Sequence, residues 1–185
     1  FSGRGVGMDV VKKNVESVGG IISITSELGK GSCTTLKIPL TLAIVDGMEI
    51  SVGNSIFTIP IANIRQSFKA EKESIILDAS GNEIIKCMDE FYPIVRIHDL
   101  YNIETDITNI EDGILIWVEA SDKSYCLFVD ELLGEQQVVV KPLPAYLNNF
   151  NIKDSGISGC TILGDGNISI ILDVMNLYLV SENQY

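Results

Sequence analysis

Hydrophobic and polar positions alternate from Leu36 to Leu42: Leu36, Ile38, Leu40 and Leu42 fall on one side, Lys37, Pro39 and Thr41 on the other. A period of two predicts a half-buried strand, here Thr34–Leu42. A second pattern follows at once. Met48–Val52 and Ile56–Ile61 flank Gly53-Asn54-Ser55, the composition of a hairpin turn. No Gly/Ser-rich spacer separates Leu42 from Ile44, so one unit is expected to pass directly into another, and a short stiff tie transmits orientation. The other reading is a compact crossing, with coupling carried by domain surfaces.

Upstream the period is helical. Met8, Val11, Val15 and Val18 recur at helical spacing, Asp9 sits in the first turn, and Gly19-Gly20 ends the pattern. Ile21–Ser26 reads as a strand and Glu27-Leu28-Gly29-Lys30-Gly31 as a turn. One helix and two strands are too little to bury a core alone. Residues 1–43 are therefore expected to be the end of a larger α/β sandwich, and the chain, which opens inside a glycine motif, a fragment.

From Ile44 onward the reading is all-β. Short Ile/Val-rich runs are separated by turn chemistry at Gly53-Asn54, Ser80-Gly81-Asn82, Ser121-Asp122-Lys123 and Gly164-Asp165-Gly166. Prolines 60, 93, 142 and 144 are expected at strand ends or edges. EISVGNSIFTIPIANI and WVEASDKSYCLFVDEL read as weak copies offset by about 68 residues. Two similar small barrels explain this, and so does the alternation common to all hairpins. Helices are predicted at His98–Asn102, Ala145–Phe150 and Val174–Ser181.

Charge sharpens the division. Residues 1–43 carry five Lys or Arg against three Asp or Glu, whereas residues 44–185 carry eight against twenty-two, within a total of −12. Such acidity excludes nucleic acid and anionic membrane as partners. Cys33, Cys87, Cys126 and Cys160 form no C-x-x-C pair and read as small buried apolar residues in a reducing, cytosolic setting. No apolar run reaches the roughly 18 residues of a spanning helix.

Candidate chemistry is sparse. FSGRGVG places Gly3, Gly5 and Gly7 before a helix N-terminus, an arrangement suited to phosphate, or else a mobile glycine loop. It is neither a Walker loop nor a dinucleotide fingerprint. His98, the one histidine, has no nucleophile or carboxylate constellation around it and reads as a surface or turn residue. No catalytic residue and no metal site are assigned. Asp165 and Asn167 are too few oxygen ligands for calcium, so they read as a hairpin turn. Asp130, Glu131 and Glu135 read as a solvated rim between buried strands. Apolar residues left exposed at a barrel rim would mark an interaction site.

The runs SGRGVGMDVVKKNVESVGG and ITSELGKGSCTTLKIPLTLAIVDGM resemble the end of the ATP-binding domain of chemotaxis histidine kinases of the CheA kind. FVDELLGEQQVVVKPL and GCTILGDGNISIILDV resemble the CheW-like regulatory domain that follows in them. The resemblance implies a mainly β fold: a CheW-like pair of five-stranded Src-homology-3-like barrels over 44–185, preceded by a truncated α/β sandwich remnant over 1–43. It implies that Gly3, Arg4, Gly5, Val6 and Gly7 border the ATP phosphates and that Thr34 and Thr35 lie on the base side, although Cys33 stands where relatives place a glycine. ATP and magnesium are the implied cofactors of the parent kinase, but its asparagine box, adenine box, dimerisation helices and phosphate-accepting histidine domain are absent from this sequence. The fragment alone is expected to be inactive. The implied partners are a CheW-type adaptor and the chemoreceptor cytoplasmic tip, with kinase homodimerisation through a domain missing here. The implied location is cytoplasmic, at receptor arrays. Two rival readings are a self-sufficient nucleotide-dependent enzyme and a free-standing CheW-type adaptor. The first lacks the adenine and magnesium boxes; the second has no use for GRGVGMDVVKK.

Overall fold

The computed structural model describes residues 7–17, 20–38, 44–143 and 155–182. The chain divides into two compact units, Phe1–Ala43 and Ile44–Tyr185. In the first, helix α1 (Met8–Ser17) precedes strands β1 (Ile21–Glu27) and β2 (Gly31–Lys37), paired antiparallel from Ile21↔Lys37 to Glu27↔Gly31. Val15 is buried, but β2 is exposed along its length, including Leu36 at 49%. Among the described residues, Leu36 and Ile38 thus do not form the half-buried face expected from the alternation, because an apolar strand face needs a second layer against it. Residues 39–43, with the end of that predicted strand and the junction, lie outside the described residues, as does the predicted helix Ala145–Phe150.

The second unit runs β3 (Ile44–Val52), β4 (Ser55–Pro60), β5 (Ile64–Phe68), β6 (Ile75–Leu77), β7 (Glu83–Cys87), β8 (Glu90–Arg96) and α2 (Ile97–Tyr101). It continues with β9 (Ile114–Ala120), β10 (Lys123–Val129), β11 (Glu131–Val139), β12 (Ile157–Ile162), β13 (Ile168–Leu172) and α3 (Val174–Glu182). The mainly β reading of two related small β units holds; among the described residues their strands form two sheets that do not close on themselves. Their strand orders are β11-β3-β4-β13-β12 and β5-β9-β10-β8-β7-β6. The predicted Val174–Ser181 and His98–Asn102 helices appear as α3 and α2. Pro60 ends β4 as expected, whereas Pro93 lies inside β8 between two partner strands. Pairing with β10 begins only at Ile94, so the missing N–H of Pro93 falls beyond that ladder.

The weak internal copies are a true repeat. Strands β11-β3-β4-β13-β12 of one sheet correspond in order to β5-β9-β10-β8-β7 of the other, with β6 added outside. Both hairpins are joined antiparallel, and both second strands take a parallel neighbour, β13 beside β4 and β8 beside β10. Ile50 lies opposite Phe57; about 68 residues on, Val118 lies opposite Tyr125. The first turn residues, Gly53 at φ 55° and Ser121 at φ 56°, share a backbone conformation that suits a two-residue hairpin. After each hairpin the chain crosses over: β5 follows β4 yet joins β9, and β11 follows β10 yet joins β3. Both crossings are tied back by hydrogen bonds. Asn63 Nδ2 donates to Glu119 O at 2.9 Å, and the Asp130 N–H donates to Ser51 O at 3.0 Å.

This exchange explains why β9 and β10 are not half polar. On β10, Tyr125, Leu127 and Val129 face a core shared with Ile50, Phe57, Ile59 and Leu177, whereas Cys126 and Phe128 face a second core with Ile85, Ile94 and Leu115. A strand buried on both faces must be apolar at every position.

The loop after β12 checks one turn reading. Asp165 Oδ1 accepts the Asn167 N–H at 2.9 Å and Oδ2 accepts Asn167 Nδ2 at 2.8 Å, while the Leu163 N–H reaches Asn167 O at 2.8 Å. The aspartate closes a turn, as its residues indicated. Gly166 sits at φ 88°, where a β-branched side chain is strained. Gly166→Val is expected to lower stability by about 1–3 kcal/mol, read as a lower urea midpoint; an unchanged midpoint would show a looser turn.

Candidate functional site

Of the residues assigned to the ATP phosphates, Gly3, Arg4, Gly5 and Val6 lie outside the described residues. Gly7 stands at the start of α1, its carbonyl accepting the Val10 N–H at 3.1 Å. Thr34 and Thr35 lie on β2 opposite Ile24 and Ser23, both exposed. Successive strand residues point to opposite faces, so the two threonines do not line one surface. Among the described residues no group of three or more His, Cys, Asp or Glu is placed to hold a metal ion. The described strip alone does not fit a nucleotide with its metal, and no chemical step is derived through it.

Two residues are more buried than the sequence indicated. His98 is only 8% exposed. Its helix α2 turns it inward, edge-on to Phe128 with ring centroids 5.9 Å apart, and its Nε2 is 3.5 Å from Asp99 Oδ1. Arg96 covers the Phe128 ring at 4.8 Å, donates to both Glu83 carboxylate oxygens at 2.6 and 3.1 Å, and donates to Thr108 O at 2.7 Å. The imidazole is a packing element, not a surface group. Asp130 is likewise buried; only Glu131 and Glu135 form the expected solvated rim. Asp130 Oδ2 accepts the Gly53 N–H at 2.7 Å and the Thr105 hydroxyl at 2.6 Å, pinning the β3–β4 turn to the segment after α2. Its alternation with Glu131 at the crossing carried no signal for burial, because the partners are 77 and 25 residues away.

The cysteines divide. Cys126 is buried, Cys87 and Cys160 are partly buried, and Cys33, expected inside, is exposed on β2. Burial pushes the Cys126 and Cys87 thiols up, and both belong to the second core. Raised thiols are poor nucleophiles. Burial, then the charge of Asp165, raises the Glu49 carboxyl, which accepts from Gln136 Nε2.

What the surface does offer is apolar hairpin tips. Met88 (77% exposed) and Phe91 project from the β7–β8 tip, and Ile162 and Ile168 (63%) from the β12–β13 tip. Ile76 and Leu77 are exposed on edge strand β6, opposite Ile84 and Glu83 at the other end of β7. The two tips are equivalent in the repeat, so the same kind of surface is presented twice. Sequence reading foresaw exposed rims but not which; Met88-Asp89, a turn made by two non-glycine residues at φ 51° and 78°, has no composition signal, so the tip could not be placed.

Residues 46–180 match the CheW-like domain. The chain belongs to the CheW-like domain family. Nearly its whole length is similar to chemotaxis protein CheA of Klebsiella aerogenes, at 37% identity over 183 residues, covering 99% of this chain and 28% of that protein. Chemotaxis protein CheA of Rhizobium meliloti is 38% identical over 185 residues, 100% of this chain and 24% of the relative. The sensor histidine kinase CheAY of Helicobacter pylori is 37% identical over 173 residues, 94% and 21%. The chain thus spans about a quarter of the length of these curated relatives. Among solved structures, the scaffolding protein TtCheW from Thermoanaerobacter tengcongensis superposes with a TM-score of 0.56 at 16% identity, covering 69% of this chain and 88% of that one. That likeness establishes the fold. No helix among the described residues is long and apolar enough to cross a membrane.

Proposed function

We propose that the chain is the C-terminal part of a chemotaxis histidine kinase, whose CheW-like domain couples the kinase to a CheW-type adaptor and to chemoreceptors. Receptor state then governs ATP-dependent histidine phosphorylation in the cytoplasm, at receptor arrays. One observation carries the reading: the similarity to CheA proteins extends through residues 1–43, whereas the CheW-like match begins at residue 46. A free-standing scaffold accounts for the second unit only. In the complete kinase, Gly3, Arg4, Gly5, Val6 and Gly7 border the nucleotide phosphates and Thr34 or Thr35 its base side; magnesium is held by residues outside this chain.

The apolar hairpin tips are the adaptor-docking surface. Burial of Met88, Phe91, Ile162 and Ile168 makes the contact apolar and hence only weakly salt-dependent. Immobilised chain is expected to capture a CheW-type adaptor with micromolar affinity, and Phe91→Glu or Ile168→Glu is expected to weaken capture about tenfold or more. An adaptor that binds both variants like the parent would remove the tips from the interface. No capture by the parent at low or moderate salt would count against the whole reading.

The kinase remnant makes its own prediction. Glycines at a helix start give little affinity without groups for base and metal, because ordering a loop on binding is costly. ATP is expected to bind this chain no more tightly than about millimolar, without autophosphorylation. Calorimetry giving micromolar affinity would instead favour the nucleotide-dependent enzyme.

A further inference from the structure

A groove of about 570 Å³ opens between the turn that follows β6 and the last turn of α3, within the size range of built ligand sites. Its floor is apolar, formed by Ile84 of β7 with Pro93 and Ile94 of β8. Its rims are acidic. On one side Asp78 accepts the Ser80 N–H at 2.8 Å, the Asn82 N–H at 2.9 Å and Asn82 Nδ2 at 3.2 Å. The Asn82 backbone, with these other donors, holds the Asp78 carboxyl below its ordinary value, so it is ionised at neutral pH. On the other side Glu182 lines the groove beside Tyr178, whose phenol is pushed up by burial and then by that carboxylate.

Helix α3 adds a third negative element. Its last turn carries no basic residue, so the partial negative charge of a helix C-terminus is reinforced by Glu182 instead of offset. Among the described residues no Lys or Arg lines the groove; Lys123 stands over the Tyr178 ring, 5.0 Å from its centroid. An apolar floor between rims carrying Asp78 and Glu182 selects a ligand with a cation and apolar flanks together. A bare cation leaves the floor unfilled, and an anionic partner is repelled.

We propose that this groove docks a peptide segment in which a Lys or Arg is flanked by apolar side chains. The site shares no residue with the hairpin tips, so adaptor capture and groove binding stand or fall separately.

The test is an NMR titration of the ¹⁵N-labelled 185-residue chain with three probes. These are Ac-Val-Leu-Lys-Leu-Arg-Val-amide, the same peptide with Glu at both basic positions, and spermidine. The basic peptide is expected to shift the amides of Ile84, Ile94 and Tyr178 and to weaken about threefold or more when salt rises from about 50 to 300 mM. Glu182→Gln, at an exposed helix end, is expected to weaken it about threefold, and Glu182→Lys about tenfold, with the spectrum otherwise unchanged. Asp78 is left intact because its carboxylate holds the turn. Equal binding by the acidic twin or by spermidine, shifts elsewhere on the surface, indifference to Glu182→Lys, or no shift at about 2 mM peptide would each overturn the proposal.

Discussion

Cut between Glu111 and Asp112, the CheW-like domain is expected to fold only when both pieces are present. The two halves of the repeat have exchanged their third strands. Residues 1–111 keep β3 and β4 but lose β11, β13 and β12, so a lone hairpin is all that remains of the five-stranded sheet. They also keep β5 and β8-β7-β6 without β9 and β10, the strands that join them. Residues 112–185 are cut in the same two places. A two-stranded hairpin is marginal at best in water, and each piece would expose half of the core in which Ile50 and Phe57 pack with Tyr125 and Leu127. The cut itself falls between exposed residues, where nicking costs little. Neither fragment is therefore expected to show a cooperative urea transition, and the co-expressed pair is expected to show one. A cooperative transition from residues 112–185 alone, with a slope appropriate to its length, would show that the halves are independent domains.

The same exchange sets how much was legible in the sequence. Hairpin β3–β4, helix α2, helix α3 and the Asp165 turn are local objects, and their spacing and turn chemistry identified them. So did the offset between EISVGNSIFTIPIANI and WVEASDKSYCLFVDEL, because equivalent strands share burial demands. Which strands share a sheet was not legible. The parallel pairs β4·β13 and β8·β10 join residues far apart in the chain, and no local pattern records such a partner. His98 and Asp130 were misjudged for that reason, since the groups that bury and hydrogen-bond them come from β10, β3 and the segment around Thr105. Leu36 and Ile38 erred the other way: alternation declares a face fit for burial, while burial itself needs a layer that the described residues of the first unit do not supply.

Above about pH 10 the domain is expected to lose stability steeply, and two buried phenols are the cause. Tyr125, fully buried, donates to Val174 O at 2.6 Å, fastening the start of α3 to β10. Tyr101 at the end of α2 donates to Ser155 O at 2.8 Å and stacks on Phe57 at 5.6 Å. Burial pushes both phenols well above their ordinary value; at Tyr125 the nearby Tyr101 and the charge of Asp173 add to it. A phenol whose folded pKa lies above its unfolded value of about 10 contributes its full stability below that pH. The contribution is lost as pH rises toward the folded pKa, because the unfolded chain releases the proton first. An ionised phenolate also cannot donate to the carbonyl it holds. Each tyrosine accounts for about 1.4 kcal/mol per pH unit, the pair for about 2.7. Against a usual total of about 5–15 kcal/mol, two pH units remove a large share. The buried Cys126 thiol acts with the same sign from about pH 8.5 upward, so Cys126→Ala serves as a reference background. Urea midpoints between pH 8 and 12 are expected to fall for the parent and to fall less steeply for Tyr101→Phe and Tyr125→Phe. Each phenylalanine variant starts about 1 kcal/mol lower at pH 8, having lost one buried hydrogen bond. If the parent and the double variant lose stability at the same rate above pH 10, the two phenols are not what holds α2 and α3 in place at alkaline pH.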